Sequence, residues 1–223
     1  MLEGIVFDFD GLMLDTEYPQ YLAWRSLYEM HGHDLPIERW IDVLGRPAWM
    51  FDFFAHLEEQ VGQKLDRERF DRERRAKVLR LIDESELLPG VRKLVERAQA
   101  RGLRLSIASG SDRPWVSGYL QKHGLAEAFP ILVTREETET HKPEPGPFAE
   151  ACRRMETLPA ATLALEDSPN GILSASRAGL FAVAVPNRVT TGQAFEGADR
   201  VIQSLEELDL DVIAGLMASK QAV

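Results

Sequence analysis

Four short stretches of this 223-residue chain gather side chains that can do chemistry: Asp8-Phe9-Asp10-Gly11, Ser109-Gly110-Ser111, Lys142 among three prolines, and Glu166-Asp167. In an extended chain residues two apart point to the same side, so Asp8 and Asp10 can face one site together. Two carboxylates that close repel, and at the end of a buried segment they are costly unless something compensates them. Glu166 and Asp167 also end an apolar run, and adjacent carboxylates suit a hard, oxygen-preferring cation such as Mg²⁺. Ser109 offers a hydroxyl and Gly110 a backbone N–H, both donors for an anion. The prolines around Lys142 stiffen the backbone and would aim its ammonium. Each stretch alone also has a plainer account: a solvated acidic turn, an ordinary serine-glycine loop, a surface lysine. A calcium loop is excluded, because it needs glycine and glutamate at the sixth and twelfth positions from Asp8, where Met13 and Pro19 stand.

Five short, mostly apolar runs are expected to be strands: residues 4–9, 103–109, 130–134, 162–167 and 180–185. Continuous apolar runs rather than alternating ones indicate strands covered on both faces. Helical patterns lie between the later ones. Val91, Leu94, Val95 and Ala98 form one stripe that stops at Gly102, residues 114–123 and 147–156 follow, and a further helix opens at the capping Ser168. Strands alternating with helices predict a doubly wound parallel sheet, a Rossmann-like α/β core. Such a sheet brings the carboxyl ends of its strands to one edge, where all four stretches sit, so they should converge.

Residues 17–87 break the alternation. They show helical patterns at 17–31, 37–44, 47–62 and 66–85 and hold Trp24, Trp40, Trp49 and the Phe51, Phe53, Phe54 cluster, expected as the core of a small helical bundle. Pro89-Gly90 marks the boundary turn. The expected division is a core of residues 1–15 and 89–223 with a helical cap of 16–88, placed as a lid.

The bulk composition narrows the partners. With 26 basic against 36 acidic residues the formal net charge is −10, which argues against nucleic acid or an anionic membrane. One cysteine, Cys152, excludes an internal disulfide and suits a reducing compartment. The first residues carry no basic leader, and no apolar run approaches the ~20 residues of a membrane span. A cytoplasmic protein is expected, a monomer or weak homo-oligomer whose partner is a small phosphorylated metabolite.

The four stretches in order, D-x-D-G, S-G-S, K-P and E-D, resemble the four motifs of the haloacid dehalogenase superfamily, over nearly the whole chain. The helical insertion after the first motif resembles the branch containing β-phosphoglucomutase and related sugar-phosphate phosphatases. The resemblance implies Asp8 as nucleophile and Asp10 as general acid/base. It implies Mg²⁺ held by Asp8, the Asp10 carbonyl and Asp167, with Glu166 in support, and a phosphoryl group held by Ser109, Gly110 and Lys142. It also implies the sheet order 5-4-1-2-3. An acid two places after the nucleophile favours phosphate esters, because an alkoxide leaving group needs its proton.

Two positions depart from the family pattern. Gly146 stands where the family often has Asp after P-x-P, and is expected to cap a helix. Gln20 stands near where β-phosphoglucomutase carries a histidine, and glutamine cannot exchange protons, which favours a phosphatase over a mutase. Asp15 either caps the first cap helix or belongs with Glu17 to the motif. Arg46, in LGRPAW, is either a substrate-facing cap residue or a surface arginine. The expected activity is a Mg²⁺-dependent phosphatase acting on a sugar or polyol phosphate through an aspartyl-phosphate. A sugar-phosphate mutase is the enzymatic alternative, and a phospho-accepting regulator or a sugar-phosphate binder the non-enzymatic ones.

Overall fold

The strand that leads to the acidic pair is buried from end to end. In Gly4–Phe7 (β1) the side chains of Ile5, Val6 and Phe7 are inaccessible to solvent. Buried backbone groups must find partners, and β1 finds them on both sides. It pairs in parallel with Arg104–Ala108 (β2) and with Thr162–Glu166 (β4). The computed structural model describes residues 1–43 and 51–221. Ile131–Val133 (β3), Phe181–Ala184 (β5) and Arg200–Val201 (β6) complete a parallel sheet of order β3-β2-β1-β4-β5-β6. The five expected strands are present in the expected order, and β6 extends the sheet beyond β5. It is two residues long with both side chains exposed, so it leaves no apolar run to recognise.

Helices cover the sheet. Val91–Ala100 (α5) buries the expected stripe of Val91, Leu94, Val95 and Ala98, and Gly102 at φ 69° turns the chain away from it. Arg113–Lys122 (α6), Gly146–Met155 (α7) and Pro169–Arg177 (α8) follow the next three strands. Leu210–Gln221 (α9) lies beyond the strand–helix alternation that the sequence signals; it buries Leu210, Ile213 and Met217.

Under α7 and α8 the sheet presents Val6, Ala108, Ala164, Ala182 and Ala184, against Phe148, Ala151, Met155, Ile172 and Ala175 of the helices. The small strand residues let the helices lie close, as dense packing requires. The other face carries larger groups, Ile5, Phe7, Ile107, Leu163, Leu165 and Val183, all buried. Each contributes about 1.5–3 kcal/mol on burial, so a strand this apolar can end in a carboxylate and still be stable. Gly146 does not cap α7. Pro145 occupies the N-cap position without a side-chain bond, and Gly146 is the first helical residue. A Cβ there would lie 2.2 Å from Thr140 Oγ1, so a side chain at this position would make the Thr140 hydroxyl turn away.

The chain divides into two compact units, Met1–Leu14 with Glu86–Val223, and Asp15–Ser85. Among its described residues the regular elements of the second unit are helices: Glu17–Met30 (α1), Ile37–Val43 (α2), Phe53–Val61 (α3) and Arg67–Asp83 (α4). α1 packs along α4. Trp24 and Trp40 are buried, and Trp24 packs on Phe53 and Phe54 with ring centroids 4.9 and 4.8 Å apart. Trp49 and the expected cap residue Arg46 lie outside the described residues. α3 begins only at Phe53, where the Asp52 carboxylate accepts from Ala55 N at 3.0 Å. Asp15 accepts from Tyr18 N at 3.1 Å at the start of α1. Among the described residues no helix is long and apolar enough to cross a membrane.

Candidate active site

The chain builds its sheet outward from β1, first through β2 and β3, then back across to β4 and β5. The connections leaving β1 and β4 therefore diverge, and a crevice opens at their carboxyl ends. Asp8 follows β1 there, its amide still bonded to Leu165 O at 2.9 Å, while Glu166 ends β4 and Asp167 follows it. All three carboxylates are buried. One oxygen from each lies within 4.8 Å of the others.

Lys142, from the loop between β3 and α7, enters this cluster. Its ammonium donates to Asp8 Oδ1 and to Glu166 Oε1, both at 2.5 Å. The other Glu166 oxygen accepts from the Ser168 amide at 2.8 Å and its hydroxyl at 2.9 Å. Ser168 is also the expected cap of α8, accepting from Gly171 N at 3.1 Å. Glu166 is thus saturated by fixed donors, and a Cβ at Gly171 would fall 1.8 Å from its carboxyl group. Burial pushes the Asp8 carboxyl well above its usual range; Lys142 opposes this, and Glu166 and Asp10 add to it. Burial works against the Lys142 ammonium, but the carboxylates of Asp8 and Glu166 outweigh it and hold the group charged.

Asp10 lies beside this cluster with its carboxylate fully engaged. Oδ2 accepts from Ser111 Oγ at 2.7 Å and Ser109 Oγ at 3.2 Å, and Oδ1 accepts from the Trp115 indole at 3.0 Å. Ser109 is buried, and its oxygen also accepts from Ser111 N at 3.0 Å. Gly110 is exposed at the turn of this loop. Gly11 turns the chain out of the sheet at φ +82°, and a Cβ there would meet Asp167 Oδ2 at 2.4 Å and Asn187 Nδ2 at 2.7 Å. Glycine is required at position 11 by conformation and by space.

The structure therefore brings together Asp8, Asp10, Ser109, Lys142, Glu166 and Asp167, with Gly110 on the same loop as Ser109. Gln20 belongs to the other unit, half-buried on α1. Three further residues enter the site that motif reading passes over: Ser111, Trp115 and Asn187. Asn187, in the loop after β5, donates from Nδ2 to Asp167 Oδ2 at 2.8 Å and to Gly11 O at 3.0 Å. Its Oδ1 accepts from the amides of Val189 and Thr190, which settles the orientation of the amide. Ser111 stood in the quoted S-G-S; Trp115 and Asn187 left no signal in spacing.

The donor set fits a hard divalent cation. Among the described residues the site offers carboxylate oxygens from Asp8, Glu166 and Asp167, all buried, with the Lys142 ammonium paired to Asp8 and Glu166. Residues 5–185 match the model of the haloacid dehalogenase-like hydrolase family. The chain belongs to this family. It is 38% identical over 213 residues to the protein YhcW of Bacillus subtilis (strain 168), spanning 96% of each chain. It is 32% identical over 186 residues to fructose-1-phosphate phosphatase YqaB of Escherichia coli (strain K12), spanning 82% of this chain and 95% of that protein. The crystal structure of CbbY from Rhodobacter sphaeroides, in complex with phosphate, superimposes with a TM-score of 0.70 at 28% identity. That match covers 93% of this chain and 96% of CbbY. The protein is thus a haloacid dehalogenase-like hydrolase on a parallel α/β core.

Proposed function

We propose that this hydrolase is a Mg²⁺-dependent phosphatase of a small sugar or polyol phosphate, working through an aspartyl-phosphate on Asp8. The observation that carries the reading is the buried Asp8–Lys142–Glu166 pairing beside Asp167, with Asp10 poised next to it. Asp8 and Asp167 would hold the ion with the Asp10 carbonyl, while Glu166 is committed to Lys142 and Ser168. The ion would supply positive charge against the phosphoryl oxygens and keep Asp8 ionised despite its burial.

In the proposed reaction Lys142 and Ser109 hold the phosphoryl oxygens. An Asp8 carboxylate oxygen attacks phosphorus, and the bond from phosphorus to the ester oxygen breaks. Asp10 gives its proton to the departing alkoxide. It then takes a proton from water, whose oxygen attacks the aspartyl-phosphate, freeing inorganic phosphate and restoring Asp8. The helical unit is inserted between Leu14 and Glu86, at the exit from β1, and is proposed as the lid that selects the leaving group. Gln20 and Arg46 are its proposed substrate contacts. Hydrolysis is preferred to mutase chemistry because Gln20 has no proton to exchange. The single cysteine, buried Cys152, fits a reducing cytoplasm.

The test is phosphate release from a panel of sugar and polyol phosphates, with Mg²⁺ and with EDTA. Release that requires Mg²⁺ and vanishes in Asp8→Asn supports the reading. No release from any ester, or wild-type turnover by Asp8→Asn, overturns it. Phosphorus NMR showing phosphate moved between hydroxyls without release would assign a mutase instead.

A further inference from the structure

We infer that Trp115 is a positioning residue for Asp10: its indole N–H fixes Oδ1 and leaves Oδ2 as the oxygen that exchanges a proton with the leaving group. The inference deepens the proposed reaction and rests on Asp10 as its acid. Three donors meet the Asp10 carboxylate, but they are not equivalent. The hydroxyls of Ser109 and Ser111 turn about their C–O bonds and can also accept, so both can be redirected to a phosphoryl oxygen. An indole N–H only donates, and it moves only with the whole ring. Oδ1, at 3.0 Å from the Trp115 nitrogen, would accept that bond only as a poorer hydroxyl oxygen if it carried the proton, so the indole favours leaving it bare. Oδ2, at 2.7 and 3.2 Å from the two hydroxyls, can carry it.

The ring itself is held in place. Asp112 caps α6 by accepting from the Trp115 amide at 2.9 Å, which sets the residue in the first turn facing the carboxyl edge of the sheet. Arg135 donates to the same Asp112 carboxylate at 3.3 Å. One turn on, Tyr119 meets the indole edge to face, with centroids 4.8 Å apart. The pair spends an aromatic residue, half-buried, on orienting one carboxylate across 105 residues of sequence. When a phosphoryl group claims both serines, Trp115 is the donor that keeps the acid aimed.

Two substrates separate positioning from packing. Fructose 1-phosphate expels an alkoxide that needs a proton, whereas p-nitrophenyl phosphate expels a stable anion that does not. Because kcat/KM reports only the steps through cleavage of the ester, it isolates the acid's role from its later role as base. The N–H is removed with the ring shape kept by placing 3-benzothienylalanine at position 115, and Trp115→Phe gives a second variant. In both, the ratio of kcat/KM for fructose 1-phosphate to that for p-nitrophenyl phosphate should fall about 10- to 100-fold, the scale of a misplaced catalytic group. A cooperative thermal melt of the benzothienyl protein checks that it folds. Asp10→Asn should show the same differential, larger. If Asp10→Asn lowers the ratio and neither Trp115 variant does, the positioning role is wrong and the acid stands. If Asp10→Asn leaves the ratio unchanged, the acid assignment fails and the inference with it.

Discussion

Asn187→Ala should weaken binding of the proposed Mg²⁺ while leaving every proposed ligand residue in place. Asn187 donates to Asp167 Oδ2 at 2.8 Å and to the Gly11 carbonyl at 3.0 Å, so it ties a proposed ligand to the turn behind Asp10. A hydrogen bond to a charged group is worth about 1.5–3 kcal/mol. At about 1.4 kcal/mol per tenfold, that is roughly 10- to 100-fold in affinity, the same range found when an outer partner of a metal ligand is removed. The Mg²⁺ concentration giving half-maximal phosphate release should rise by that factor, while saturating Mg²⁺ restores most of kcat. Asn187 also organises its own loop through the amides of Val189 and Thr190, so a melt in EDTA is run alongside to measure that separate loss. An unchanged half-activation concentration in a folded variant would refute the reasoning, because Asp167 would then be positioned without its partner.

Three further outcomes follow from the same geometry. Gly171→Ala puts a methyl group 1.8 Å from the Glu166 carboxyl, so Glu166 must leave Lys142 and Ser168; turnover should fall at least ~100-fold, and a wild-type rate would show that the pairing is dispensable. Lys142→Met leaves Asp8 and Glu166 buried without their cation, and breaking such a pair costs about 3–5 kcal/mol. Thermal unfolding should record a clear loss together with abolished turnover; an unchanged melt would mean that the acids are neutral in the resting protein. In the helical unit, hydrogen bonds from Arg67 and then Lys64 hold Glu58 well below its usual range. A depressed carboxylate stabilises fully above its unfolded value of about 4.3 and loses that contribution as pH falls toward its folded value. The acid-induced drop in melting temperature below about pH 4 should therefore be smaller in Glu58→Gln, and an equal drop would refute the assignment.

What the sequence makes legible here is what local pattern can encode. β1, β2 and β4 are runs buried on both faces, so they announce themselves without alternation, and the residues at their carboxyl ends inherit a shared location from parallel topology alone. That is enough to bring Asp8, Lys142, Glu166 and Asp167 together before any coordinate is known. Trp115 is different in kind. A tryptophan in a helix reads as core, and its bond to Asp10 spans 105 positions, so only the packing of α6 against the sheet edge reveals it. Asn187 sits in a Pro-Asn turn that any loop could carry. β6, two exposed residues, is a consequence of the sheet already formed rather than a signal for it. Gly146 shows the converse limit: its place beside a proline suggests a cap, yet it is the first helical residue, and its near neighbour is the Thr140 hydroxyl six residues back.

The charge balance at the strand ends explains why these parts belong to one device. Glu166 is neutralised locally, one oxygen by Lys142 and the other by Ser168. Lys142 therefore serves Asp8 with only part of its charge, and Asp167 accepts from the neutral amide of Asn187. Burial raises Asp8 because this compensation falls short, and a protonated aspartate is no nucleophile. Asp8 and Asp167 are the residues that would hold the proposed dication, which would supply positive charge against that obstacle and to a phosphoryl group. The low dielectric that makes the bare carboxylates costly is the condition under which that charge is worth most to a transition state. On the proposed mechanism, burying Asp8 at the end of an apolar strand beside Glu166 and Asp167 would tie the ionisation of the nucleophile to the presence of the ion.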